Sequence, residues 1–246
     1  MSNPTLKLRV ISGWGVAPTI LQDWLQLMPA RFEVELVDIP DLAKGALLPA
    51  AQRAQQLLAG QPKDAYWLGW SLGGLLALDL AAHEPESVRG VITLASNPCF
   101  VAQPDWPGMD TELFQNFLNA YREMPAKTLQ RFAALQINGA HDPRGQLREL
   151  KRQLLEPAPV LAELLELLAV DRRDWVQNSN LGLLCLFATA DALVPAAVAQ
   201  KMAALNPQLR AELICGASHL LFQDKPEVLL ESVVNWIEQQ ESDYAR

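Results

Sequence analysis

Short apolar runs alternate with segments of helical spacing from the start of the chain as far as Ala95. Leu6 to Ile11 alternates weakly, turns apolar and ends at Ser12-Gly13-Trp14-Gly15, which predicts a buried strand running into a glycine-rich loop. Pro18 to Met28 sets Ile20, Leu21, Trp24, Leu25 and Met28 at helical spacing, and Phe32 to Val37 alternates before Asp38-Ile39-Pro40 stops it. Gly45 to Leu58 predicts a helix, Ala65 to Trp70 a strand, Leu72 to His83 a helix and Gly90 to Ala95 a strand. Strict alternation of strand and helix predicts a parallel sheet covered by helices.

From Trp106 the rhythm changes, and four helical patterns follow one another with no credible strand between them. They are Thr111 to Glu123, Ala126 to Gly139, Pro143 to Glu156 and Pro159 to Val170. Asp142 followed by Pro143 reads as an N-cap with a proline in the first turn. Strand signals return at Leu183 to Ala188 and Ala211 to Cys215, with a helix from Pro195 to Leu205 between them and a last amphipathic helix from Pro226 to Gln239. The expected division is therefore a core over residues 1–107, an inserted helical cap over 108–176, and the rest of the core over 177–246.

Composition narrows the classes. With 246 residues, half of them hydrophobic and 20% charged, the chain fits one well-buried domain with an insertion. A net charge of −8 argues against nucleic acid as a main partner, because phosphate binding needs a clustered basic surface. Cys99, Cys185 and Cys215 have neither metal-ligand nor redox-motif spacing and are expected to be reduced core thiols. No cofactor and no metal are expected. The absence of a signal-peptide pattern and of a membrane-length apolar run implies a cytoplasmic protein without a membrane partner, and a monomer is expected.

Chemistry enters at Tyr66-Trp67-Leu68-Gly69-Trp70-Ser71-Leu72-Gly73-Gly74, where an apolar strand turns into a small-residue helix with a serine at the turn. Gly69 and Gly73 flank Ser71 as a nucleophile elbow requires, since only residues without bulk permit so sharp a turn. Two later strands end in Thr189-Ala190-Asp191 and in Gly216-Ala217-Ser218-His219. In a parallel sheet these ends share the edge on which Ser71 lies. Ser71, Asp191 and His219 thus follow the chain order nucleophile, acid, base that marks the α/β-hydrolase fold. His219 is the expected base and Asp191 its orienting carboxylate, while the backbone N–H groups of Trp14 and Leu72 are the expected oxyanion donors. Read singly, His219 is an ordinary loop histidine, Asp191 a helix cap and Trp14 a core aromatic. A serine rather than a carboxylate at the elbow favours ester or thioester hydrolysis.

The chain resembles a specific family, the pimeloyl-acyl-carrier-protein methyl ester esterases of biotin synthesis. The resemblance covers most of the chain and rests on Gly13-Trp14-Gly15, on the elbow with its tryptophans, on Leu94-Ala95-Ser96-Asn97-Pro98-Cys99-Phe100 followed by Trp106-Pro107, on Arg131-Phe132 with Leu135-Gln136, and on Asp191-Ala192-Leu193-Val194-Pro195. It implies hydrolysis of the methyl ester on a pimeloyl chain carried by acyl carrier protein, with release of methanol. It assigns Ser71, Asp191 and His219 to the triad, Trp14 and Leu72 to the oxyanion hole, and Phe132 to the lining of an acyl channel. Trp14 and Trp70 are expected beside Phe132 as substrate contacts. Two departures are visible: Ser12-Gly13 replaces the family's His-Gly, and too few residues precede the first strand for an N-terminal antiparallel hairpin, so about six parallel strands are expected.

The segment Ala126 to Arg152 holds Lys127, Arg131, Arg144, Arg148, Lys151 and Arg152 against Asp142 and Glu149, a net +4 in a chain of −8. Lys127 and Arg131 are four apart, as are Arg144 and Arg148, so each helix carries a basic stripe. An ordinary solvated face is one reading. The resemblance supplies the other, a docking surface for an acidic acyl carrier protein through Lys127, Arg131, Arg144 and Arg148. A general carboxylesterase or thioesterase would keep the triad without such a surface, and a non-catalytic receptor on this fold commonly lacks a triad member.

Overall fold

The computed structural model describes residues 5–38, 49–59 and 63–244. Six strands, β1 (Leu6–Ile11), β2 (Phe32–Val37), β3 (Ala65–Trp70), β4 (Val88–Leu94), β5 (Leu183–Ala188) and β6 (Arg210–Ile214), form one sheet. All neighbours pair in parallel, in the order β2-β1-β3-β4-β5-β6. The chain steps outward from β1 to β2 and then back across β1 to β3, so a topological switch point lies between the carboxyl ends of β1 and β3. That is where open parallel sheets place their ligands. The glycine-rich loop after β1 and the elbow after β3 flank it.

β3 and β5 are buried along their whole length, while β2 and β6 are partly exposed at the edges of the sheet. Two apolar layers cover the sheet, divided by the strand period of two. Trp67, Val91, Cys185 and Phe187 pack toward α2 (Ala50–Leu58), α3 (Leu72–His83) and α9 (Ala197–Leu205). Tyr66, Leu68, Ile92 and Leu186 pack toward α1 (Gln22–Leu25) and α11 (Pro226–Tyr244). The expected helix from Pro18 begins as a 3-10 turn over Pro18–Leu21 before α1, and the expected start at Gly45 lies outside the described residues.

Between β4 and β5 lie α4 (Thr111–Glu123), α5 (Pro125–Gln136), α6 (Pro143–Arg152), α7 (Pro159–Glu166) and α8 (Arg173–Asn178). Proline opens α5, α6 and α7, where a missing N–H costs nothing. Asp110 caps α4 through Leu113 N, and Asp142 caps α6 through Gly145 N, each at 3.0 Å. Helices α8 and α10 (Leu221–Asp224) are too short for a periodic pattern to reveal. Cys99 and Cys185 are buried free thiols, but Cys215 is exposed, because it stands in the turn beyond the edge strand β6 rather than inside it.

The end of this insertion is fastened to the elbow helix by a buried ion cluster. Arg172 Nε and Nη2 donate to the two oxygens of Asp79 on α3 at 2.6 and 2.8 Å, Arg53 on α2 adds a bond of 3.2 Å, and Arg172 Nη1 reaches the carbonyls of Leu167 and Val170. Removing one member of a buried, hydrogen-bonded ion group strands the others away from water. Asp79→Ala is therefore expected to destabilise the fold by about 3–5 kcal/mol, read as a lower urea midpoint at an unchanged m-value. A midpoint within error of wild type would show that the cluster contributes nothing to stability.

Candidate active site

Ser71 precedes α3 with φ 55° and ψ −119°, a left-handed conformation that a non-glycine residue holds only under strain. Its own N–H completes the ladder to Leu94 O at 2.8 Å. The turn closes because its glycines touch backbone: a Cβ on Gly69 would lie 2.2 Å from Gly73 C, and one on Gly73 would lie 2.3 Å from Ile11 O. A larger residue at Gly69 would force the first turn of α3 off β3, and one at Gly73 would push α3 away from the end of β1.

The two late loops meet beside it. Thr189 N bonds Ile214 O, Ala190 N bonds Ala217 O, and Gly216 N bonds the Thr189 hydroxyl, which laces the loop after β5 to the loop after β6. Across this lacing His219 Nδ1 lies 2.8 Å from Asp191 Oδ2, with both side chains fully buried. The other oxygen of Asp191 accepts from Leu193 N at 2.8 Å and Val194 N at 3.1 Å, so the carboxylate is both a turn cap and a partner of the imidazole. His219 Nε2 is buried and has no hydrogen-bond partner among the described residues, Ser71 included. Trp70, adjacent to Ser71, donates from Nε1 to His219 O at 2.9 Å and packs against Phe222.

The loop after β1 is braced from within. Ser12 stands where the resembling family has histidine, and its buried hydroxyl donates to Val16 O at 2.7 Å, closing the loop across Trp14. The backbone N–H groups of Trp14 and Leu72 donate to no backbone acceptor among the described residues. Trp14 Nε1 bonds Leu161 O at 2.6 Å, and its ring meets Phe117, Tyr121 and Phe132 edge-on with centroids 5.1 to 5.5 Å apart. Phe117 and Tyr121 complete, with Phe132, an aromatic cluster around Trp14; their spacing of four on one apolar helix face was the available signal for them. Trp14, Trp70 and Phe132 are all buried.

Residues 10–232 match the model of a family described as the alpha/beta hydrolase family. The chain belongs to the alpha/beta hydrolase family. The pimeloyl-[acyl-carrier protein] methyl ester esterase of Edwardsiella ictaluri is 38% identical to this hydrolase, covering 89% of this chain and 88% of that protein. The protein of the same name from Serratia marcescens is 34% identical, over 94% and 93%. Among solved structures, an esterase from Exiguobacterium antarcticum is similar in fold, with a TM-score of 0.80 over 96% of this chain and 93% of that one, at 15% identity.

In this hydrolase the four cations singled out in the sequence lie on two adjoining helices. Lys127 and Arg131 on α5 and Arg144 and Arg148 on α6 are exposed, and none makes an ion pair among the described residues, whereas Arg152 is engaged by Glu149 at 3.2 Å. Among the described residues no three His, Cys, Asp or Glu side chains cluster as metal ligands, and no helix is long and apolar enough to cross a membrane. Asp224, at the end of α10, accepts four hydrogen bonds, and sequence reasoning missed it. Burial acts to raise its pKa, but bonds from the Ser218 hydroxyl, His141 N, Ser218 N and Gln146 outweigh it and hold the carboxyl below its ordinary 3.8.

Proposed function

We propose that this hydrolase is a serine carboxylesterase that removes the methyl ester from a pimeloyl chain carried on acyl carrier protein, the reaction through which the resembling family serves biotin synthesis. The observation that carries the chemistry is the strained Ser71 at the switch point beside a buried His219–Asp191 pair whose Nε2 is unsatisfied. Nε2 takes the Ser71 proton as Oγ attacks the ester carbonyl, and Asp191 holds the proton-bearing Nδ1 and stabilises the imidazolium. The carbonyl oxygen becomes an oxyanion received by the N–H groups of Trp14 and Leu72. Collapse breaks the bond to the methoxy oxygen, which leaves as methanol with the proton from His219. Water then attacks the acyl-serine with His219 again as base, freeing the carboxylate and restoring Ser71.

The names of the relatives supply the substrate, and two features of the structure fit it. The Trp14, Phe117, Tyr121 and Phe132 cluster offers an apolar wall for an unbranched methylene chain. Trp70 steadies the loop of the base, since its indole N–H donates to the His219 carbonyl, and its ring stands with Trp14 and Phe132 as a substrate contact in this reading. The insertion acts as a cap over the core, and Lys127, Arg131, Arg144 and Arg148 receive the acidic carrier. Arginine suits such a partner through its fixed fork of donors.

Reversing Arg144 and Arg148 to glutamate is expected to raise KM for the carrier-bound ester by roughly tenfold or more, to weaken its salt dependence and to leave turnover of a free methyl ester unchanged. Equal effects on both substrates, or none on either, would reduce the stripe to a solvated surface and return the reading to a general carboxylesterase.

A further inference from the structure

The loop that carries His219 is gripped from the insertion as well as from the sheet, and the grip is one side chain. Asp224 Oδ2 accepts from Ser218 N at 2.7 Å and from the Ser218 hydroxyl at 2.6 Å, and that hydroxyl accepts from Leu220 N at 3.2 Å. The residues on both sides of His219 are thus tied to this carboxylate. Its other oxygen accepts from His141 N at 3.0 Å and Gln146 Nε2 at 2.7 Å, at the start of α6. Just before this point Gly139, with φ 83°, lies against the residue preceding Asp191; a Cβ there would sit 2.4 Å from Ala190 O.

The other end of α6 holds the oxyanion loop. Ala17 N bonds Gln153 O at 2.8 Å, Leu155 N bonds Gly15 O at 2.9 Å, and Val16 and Leu154 form an antiparallel bridge. A cleft of about 560 Å³, lined by Trp24, Gln146, Glu149 and Gln153 among others, separates α6 from α1. On that side α6 is located by the bonds at its two ends rather than by close packing. It spans from the loop of the base to the loop of the oxyanion donor.

We propose that Asp224 is a positioning residue for His219, fixing the loop that carries the imidazole and locking it to α6, whose far end holds the oxyanion loop. The proposal rests on the reading of His219 as general base. Only a carboxylate serves here, because each oxygen faces one backbone N–H that cannot turn round, Ser218 N on one side and His141 N on the other. An amide in either orientation would aim its own N–H₂ at one of them, so Asp224→Asn must displace either the His219 loop or the start of α6.

The test measures, on the full chain, turnover of a free methyl ester and the rate of labelling by a fluorophosphonate, which reports how well the nucleophile is activated. Asp224→Asn is expected to lower kcat and the labelling rate by the same factor, between about ten- and a hundredfold, with KM changed less than about twofold. Combined with Asp191→Asn, the loss should be much smaller than the product of the two, because both act through one imidazole. Gln146→Met and Ser218→Ala each cut one arm of the clasp; smaller parallel losses in both support the proposal and carry the test if Asp224→Asn does not fold. Wild-type kcat and labelling in Asp224→Asn, a loss confined to KM, or fully multiplicative losses would overturn it. An active His219→Gln protein would instead overturn the reading of the base, and the proposal with it.

Discussion

Ser71→Ala is expected to give a folded protein whose ester hydrolysis has fallen on the order of 10³-fold or more, the size of loss that follows when one member of a coupled triad is removed. The fold should survive because the elbow is shaped by contacts the hydroxyl does not make. Gly69 and Gly73 rest against backbone, Ser71 N is bonded to Leu94 O, and alanine has the same backbone cost at φ 55° as serine. Thermal unfolding should therefore be unchanged while activity disappears. A serine-directed covalent inhibitor should modify wild type at Ser71 alone. Mass spectrometry placing the adduct on Ser96 or Ser218, or near-normal activity in the alanine variant, would remove the acyl-serine route.

Asp191→Asn is expected to be equally severe, about 10⁴-fold in kcat, for a reason that the hydrogen bonds make specific. One oxygen of Asp191 accepts from Leu193 N and Val194 N, so an asparagine must keep its carbonyl on those two donors and turn its N–H₂ toward His219 Nδ1. Nδ1 then has to accept, the ring proton moves to Nε2, and the nitrogen meant to take the Ser71 proton already carries one. The turn itself stays capped, which predicts a small change in stability alongside the large loss of rate. Full activity in this variant would mean that another carboxylate orients the imidazole.

The parts of the site that were legible in the sequence are those tied to the ends of strands. Ser71, Asp191 and His219 each follow an apolar strand pattern, and parallel pairing forces those ends to one edge. The fold was legible for the same reason, since β3 and β5 are buried on both faces and read as unbroken apolar runs. Strand boundaries blurred: interior β4 begins two residues earlier than its pattern suggested and edge strand β6 one, and Cys215 falls outside the sheet. The Asp224 clasp could not be read, because it joins residues 78 and 83 positions apart through hydrogen bonds that leave no periodicity. The brace across the oxyanion loop is equally silent, since Ser12 in place of histidine looks like a loss until its bond to Val16 O is seen.

The most direct measurement is methanol release by the wild-type enzyme from purified acyl carrier protein bearing the pimeloyl methyl ester, compared with a free short-chain methyl ester at equal concentration. Faster demethylation of the carrier-bound substrate, with an advantage that shrinks as salt is added, is the expected result. Turnover of the free ester at an equal or higher rate, or no methanol from the carrier-bound substrate, would contradict the assignment.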